Sequence, residues 1–138
     1  MAENPQRPVS RPLSPFVTIF RWPVTMATSI VHRATGVGLA GGLAVLVWWL
    51  LSAASGPETY NFFLDTVETP LGQIVLFGFT WSLAYHAVNG IRHLAWDLGY
   101  GFEVKTADIS GIAVFVLSFL LAAGIFALAY TGHGGYYQ

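Results

Sequence analysis

The chain has no cysteine, so disulfides, thiolate metal sites and cysteine-ligated iron–sulfur clusters are excluded within it. It is also poor in charge. Charged residues make up 9% of the 138 positions and apolar residues 54%, against roughly 25% charged in an ordinary soluble domain. That balance marks an integral membrane protein. Lysine and arginine number only 6 and the formal net charge is -1, so no bulk attraction to nucleic acid follows. A chain of this length has room for three membrane spans and no separate domain large enough for a soluble active site. Any soluble chemistry must come from partner chains.

Met1 to Pro15 is polar and proline-rich, carries Arg7 and Arg11, and lacks the apolar core of a cleavable signal peptide. It reads as an extended arm, continuing through the aromatic, interfacial stretch to Trp22. Pro23 suits the first turn of a helix, and no charge occurs from Ala34 to Ala54, enough to cross a hydrocarbon core of about 30 Å. The expected architecture is all-α: a cytoplasmic arm and interfacial segment over 1–22, a three-helix anchor over 23–132 with spans at about 24–54, 71–98 and 110–130, and a short periplasmic tail over 133–138. Ser55 to Pro70 reads as a loop, Gly99 to Asp108 as a short connection, and His133 as a solvated tail residue. Gly38 and Gly42 form a small-xxx-small pair that allows close helix approach.

The second span is apolar until His86 and then acquires Asn89, Arg92, His93 and Asp97. At 3.6 residues per turn, His86, Asn89, Gly90, His93 and Asp97 return near one angle and form a polar stripe. An ionisable group inside a membrane helix usually faces a bundle interior, a partner or a cofactor, which makes the stripe a functional hypothesis. The entrance to the first span is also polar: Thr25, Ser29, His32 and Gly36 recur at spacings of three and four, and Arg33 lies one turn after Ser29.

Basic residues set the expected orientation. Arg7, Arg11 and Arg21 precede span one and Lys105 lies between spans two and three, whereas the loop after span one and the final tail have neither lysine nor arginine. The amino terminus is therefore expected in the cytoplasm and the carboxyl terminus outside. Ser29, His32, Arg33, Arg92, His93 and Asp97 then converge on the cytoplasmic side, with His86 about 10 Å deeper than His93. A deep imidazole with cationic groups nearer to water suits a membrane haem, with Gly90 leaving room for a flat ligand. An interhelical hydrogen-bond partner and a proton relay remain open readings of the same histidine.

Three blocks of the chain carry a family resemblance: Arg11 to Pro15 (Arg-Pro-Leu-Ser-Pro), Ser29 to Gly36 (Ser-Ile-Val-His-Arg-Ala-Thr-Gly), and His86 to Gly99 (His-Ala-Val-Asn-Gly-Ile-Arg-His-Leu-Ala-Trp-Asp-Leu-Gly). In this order they resemble the cytochrome b556 large anchor subunits of succinate dehydrogenase, respiratory complex II, in the mitochondrial and alphaproteobacterial branch. The resemblance implies that His86 is the axial haem b ligand, with the opposite histidine supplied by a small anchor subunit. It implies that His32, Arg33 and His93 surround the haem propionates, and that Ser29 and Arg33 belong to the ubiquinone site. It further implies a flavoprotein subunit, an iron–sulfur subunit and a small membrane anchor as partners, in lipid; with no recognisable presequence, the bacterial inner membrane is expected over the mitochondrial one.

Quinone reduction places negative charge on the carbonyl oxygens before protons arrive, which a hydroxyl donor and a fixed cation would stabilise. A helix hydroxyl at Ser29 could instead bond its own backbone. For Arg92 and Asp97, an ion pair or a helix-end contact with a partner is the expected role. The chain departs from the family arm in having Phe16 and Phe20 where an imidazole and a phenol are common, which puts polar contacts of the arm in doubt. The competing functions are a haem-free channel or proton-relay subunit using His86, His93 and Asp97, and a purely structural anchor.

Overall fold

Proline and glycine punctuate the chain where helices start and stop. The computed structural model describes residues 13–133, and the regular structure among these is entirely helical. A single turn, α1 (Phe16–Ile19), precedes α2 (Val24–Ser55), α3 (Pro57–Val67), α4 (Pro70–Asp97) and α5 (Val104–His133). The expected arm up to Pro12 and the tail from Gly134 lie outside the described residues.

Pro23 caps α2 in an extended conformation with ψ 150. Gly56 ends that helix at φ 109, and Pro57 opens α3 immediately afterwards; the left-handed backbone favours glycine there, and proline fits a first helical turn. Thr69 caps α4, its hydroxyl accepting the backbone N–H of Gly72 at 3.1 Å. α2, α4 and α5 are each long and apolar enough to cross a membrane. The 32 residues of α2 span about 48 Å at about 1.5 Å per residue, so this helix extends past the hydrocarbon core.

One segment expected to be a loop is helical, and one connection is shorter than expected. Tyr60, Phe63, Leu64 and Val67 recur at helical spacing between the two prolines, and Phe63 is buried with its ring edge-on to Trp48 of α2 at 4.8 Å. The sequence reading weighed the loop residues at the ends of this segment and passed over the apolar stripe between them. The connection after α4 is the shorter one, because α5 begins at Val104. Gly99 and Gly101, at φ 89 and 83, make the tight turn, and Trp96 Nε1 closes it by donating to the Gly101 carbonyl at 3.2 Å.

The seam between the three long helices is built from small and polar residues. Thr28, Thr35, Ser52, Ala84, Tyr85, Asn89, Ala107, Ser118 and Ala122 are buried, while large apolar residues along all three helices point outward. This is the distribution that lipid demands: bulky apolar side chains outside, close backbone approach and interhelical hydrogen bonds inside. A Cβ added to Gly42 would collide with the Phe79 ring, and one added to Gly111 would lie 2.9 Å from Val24 Cγ1.

Candidate functional site

The stripe expected on α4 divides into two. At about 100° per residue, Tyr85, Asn89 and Arg92 fall on one line and His86, Gly90, His93 and Asp97 on its neighbour. The first line is the interior one. Tyr85 and Asn89 are fully buried, and the Tyr85 hydroxyl donates to the Thr28 carbonyl of α2 at 3.1 Å. The Arg92 guanidinium donates to Ser110 Oγ at 2.9 Å, Thr28 Oγ1 at 3.1 Å, Asn89 Oδ1 at 3.3 Å and the Ala107 carbonyl at 2.8 Å. Its Cζ lies 4.1 Å from the centroid of Trp96.

Arg92 therefore faces hydroxyls and carbonyls of α2, α4 and α5, and of the two roles expected for it, an ion pair or a helix-end contact with a partner, the pair with Asp97 is not formed. Asp97 is exposed at the end of α4. The reason is angular: Arg92 lies about 120° around the helix from His86, on the side that packs inward.

The second line brings the histidines together. The His32 ring of α2 stacks on the His86 ring of α4 with centroids 3.8 Å apart and planes at 13°, and the His93 ring lies 5.3 Å from His32. The imidazoles stack instead of converging, and among the described residues no group of three His, Asp or Glu side chains could hold a metal ion between them. His86 Nδ1 lies 3.3 Å from Thr35 Oγ1, whose hydroxyl donates to the His32 carbonyl at 2.9 Å. His86 Nε2 makes no hydrogen bond among the described residues, and His32 Nδ1 is buried without a partner. A Cβ at Gly90 would meet nothing within 4 Å.

On α2, Thr28, His32 and Thr35 form the seam, and Ser29 and Arg33 flank it. Thr28 and Thr35 each return their hydroxyl to a backbone carbonyl three residues back. Ser29, half-buried beside them, makes no hydrogen bond among the described residues; its hydroxyl is not spent on the helix. Arg33 is exposed and has no ion pair among the described residues. The structure brings His32, His86 and His93 together where α2 meets α4, while Ser29 and Arg33 lie on the flank of α2, with Arg33 exposed.

Sequence reasoning passed over Thr28, Thr35, Tyr85 and Ser110. The signal available was the spacing of Thr28, His32 and Thr35, and of Tyr85, Asn89 and Arg92. Each triplet repeats at four and three residues, one position beside the stripe that drew attention.

The chain is similar in sequence to known proteins. Succinate dehydrogenase cytochrome b556 subunits from Rickettsia prowazekii (strain Madrid E) and Paracoccus denitrificans are 42% and 40% identical to the chain over 111 and 113 residues. These matches cover 80% and 82% of this chain, and 86% and 87% of the relatives. The mitochondrial cytochrome b560 subunit of succinate dehydrogenase from Sus scrofa is 40% identical over 124 residues, 86% of this chain and 72% of the relative. The family model for the succinate dehydrogenase/fumarate reductase transmembrane subunit matches residues 7–125. With its three spans and its histidine-bearing seam, the chain belongs to the succinate dehydrogenase/fumarate reductase transmembrane subunit family.

Proposed function

We propose that this chain is the large membrane anchor of a succinate:ubiquinone oxidoreductase, holding haem b through His86 and lending Ser29 and Arg33 to the quinone site. The observation that carries the reading is the pair of nitrogens in the histidine cluster that make no hydrogen bond among the described residues: His86 Nε2 and the buried Nδ1 of His32. A buried polar atom without a partner is costly. One neutral imidazole to ligate iron, a second imidazole stacked on it and the exposed Arg33 cation one residue after His32 make a donor set that suits haem b. The cytochrome b names of the relatives support the same cofactor.

In this reading His86 would hold the haem through Nε2, together with the small anchor subunit. His32, His93 and Arg33 would hold its propionates by hydrogen bonds and charge. When bound, haem b supplies one-electron transfer. Ser29 donates a hydrogen bond to a quinone carbonyl oxygen, and Arg33 offsets the negative charge that gathers there, stabilisation that grows as the quinone is reduced. Succinate oxidation belongs to the flavoprotein and iron–sulfur partners. The basic residues before α2 and at Lys105 support a cytoplasmic amino terminus and a periplasmic carboxyl terminus in a bacterial inner membrane.

The deciding experiment is a reduced-minus-oxidised visible spectrum of the purified complex, parent against His86→Ala. Loss or a strong shift of a b-type signal in the variant is expected. An unchanged spectrum would remove His86 from the iron, and an intact parent complex without haem would leave the anchor or relay readings.

A further inference from the structure

We infer that Thr35 is a positioning residue for the haem ligand: its hydroxyl selects the tautomer of His86 that leaves Nε2 bare for iron. The inference deepens the proposed haem site and rests on it. It starts from a single proton. The Thr35 hydroxyl lies 2.9 Å from the His32 carbonyl and 3.3 Å from His86 Nδ1, and it has one hydrogen to give. The carbonyl can only accept, so the shorter contact takes that hydrogen. The oxygen lone pair then faces Nδ1, and the only complementary state of the ring carries its proton there. A neutral imidazole protonated at Nδ1 has its lone pair on Nε2.

The surroundings hold the ring in that state. Thr35 is 3% exposed, so water does not compete for its lone pair. One face of the His86 ring is covered by His32 at 3.8 Å. The Cε1 edge lies against α2 at Gly36, where an added Cβ would stand at 3.4 Å, in ordinary van der Waals contact. The backbone at Gly36 therefore walls the ring edge, and Thr35 supplies the acceptor for Nδ1–H.

The hydrogen bond also has an electronic consequence. An accepted Nδ1–H makes the imidazole more basic at Nε2, and partners of this kind commonly change metal affinity by 10–100-fold. A more basic ligand favours the ferric state, so losing the acceptor should raise the haem potential. Thr35→Val keeps the shape of the side chain and removes the acceptor; Thr35→Ser keeps the acceptor and removes a methyl.

The test is a redox titration of haem b in the complete purified complex, with the haem-to-flavin ratio measured alongside. The expected result for Thr35→Val is a roughly tenfold shift toward the ferrous form at a given potential, about 59 mV upward for a one-electron couple, with looser haem retention. Thr35→Ser should titrate like the parent. Thr35→Ala serves the same purpose if the valine variant does not assemble. A valine or alanine variant with the parent's potential and haem content would overturn the inference, as would a serine variant that behaves like valine. Failure of the haem reading itself is separate: it would appear as haem retained unchanged in His86→Ala.

Discussion

Arg92 Nη1 donates to Thr28 Oγ1 at 3.1 Å, joining α4 to α2 across a sequence separation of 64 residues. Through the same guanidinium α4 is also joined to α5, at Ser110 and at the Ala107 carbonyl. A planar fork reaches four acceptors at once, which a lysine ammonium cannot do. Both hydroxyl partners already return a bond to their own backbone, so an apolar side chain of similar length leaves little unsatisfied. Arg92→Lys is therefore expected to destabilise the assembled complex by about 2–4 kcal/mol, and Arg92→Met by less. Thermal denaturation of the purified complex followed by haem absorbance ranks the two; equal or reversed midpoints would contradict the fork argument.

The three spans were legible because apolar run length alone decides membrane crossing, and the histidines because an imidazole in such a run is conspicuous. The inward face of α4 was less legible. Tyr85, Asn89 and Arg92 are one position from His86, Gly90 and His93, and a single helix does not say which of two adjoining stripes meets its neighbours. Only the packing against Thr28 and Ala107 settles that Arg92 turns inward. The helix over Pro57–Val67 was missed for a different reason: its flanking glycine and prolines signal a turn, and its own stripe of Tyr60, Phe63, Leu64 and Val67 is only two turns long. Ser29 and Arg33 were readable as polar groups near one membrane face, whereas Thr35 looked like any helix hydroxyl until His86 was placed opposite it.

Adjacent glycines on α2 have opposite tolerances. At Gly41 an added Cβ meets nothing within 4 Å, and at Gly42 it runs into the Phe79 ring of α4. Gly41→Ala should be neutral or stabilising, by up to about 1 kcal/mol from helix propensity. Gly42→Ala should cost about 1–3 kcal/mol as Phe79 is displaced. Thermal midpoints of the two variants, measured in the same detergent, distinguish them; identical behaviour would mean that the α2 and α4 backbones do not approach as closely as Gly42 and Phe79 indicate.

Gln73 fastens the end of the bundle away from the histidines. Its Nε2 donates to the Val67 carbonyl at the end of α3 at 2.8 Å, and its Oε1 accepts the Tyr130 hydroxyl of α5 at 2.7 Å. Tyr130→Phe removes one bond and should cost about 0.5–1.5 kcal/mol. Gln73→Leu removes both and frees the end of α3. Hydrogen exchange should therefore accelerate over Leu64 to Val67 in Gln73→Leu and stay near parent values there in Tyr130→Phe; uniform protection in both would make α3 independent of this contact.

Ser29 and Arg33 predict a split between two assays of the same complex. Neither side chain is engaged among the described residues, so substitution removes no internal bond and should leave the fold and the succinate-oxidising partners intact. Arg33→Leu is expected to lower succinate-to-quinone turnover by about 100-fold, the scale seen when one preorganised donor to a developing negative charge is removed. Reduction of a soluble artificial acceptor should persist at the parent rate. Ser29→Val should weaken quinone use in the same direction while the visible haem spectrum stays in place. The spectrum separates ligand chemistry from scaffolding: bleaching in Ser29→Val would assign Ser29 to the structure around His32, and normal quinone reduction in Arg33→Leu would move the charge-stabilising role to a partner subunit.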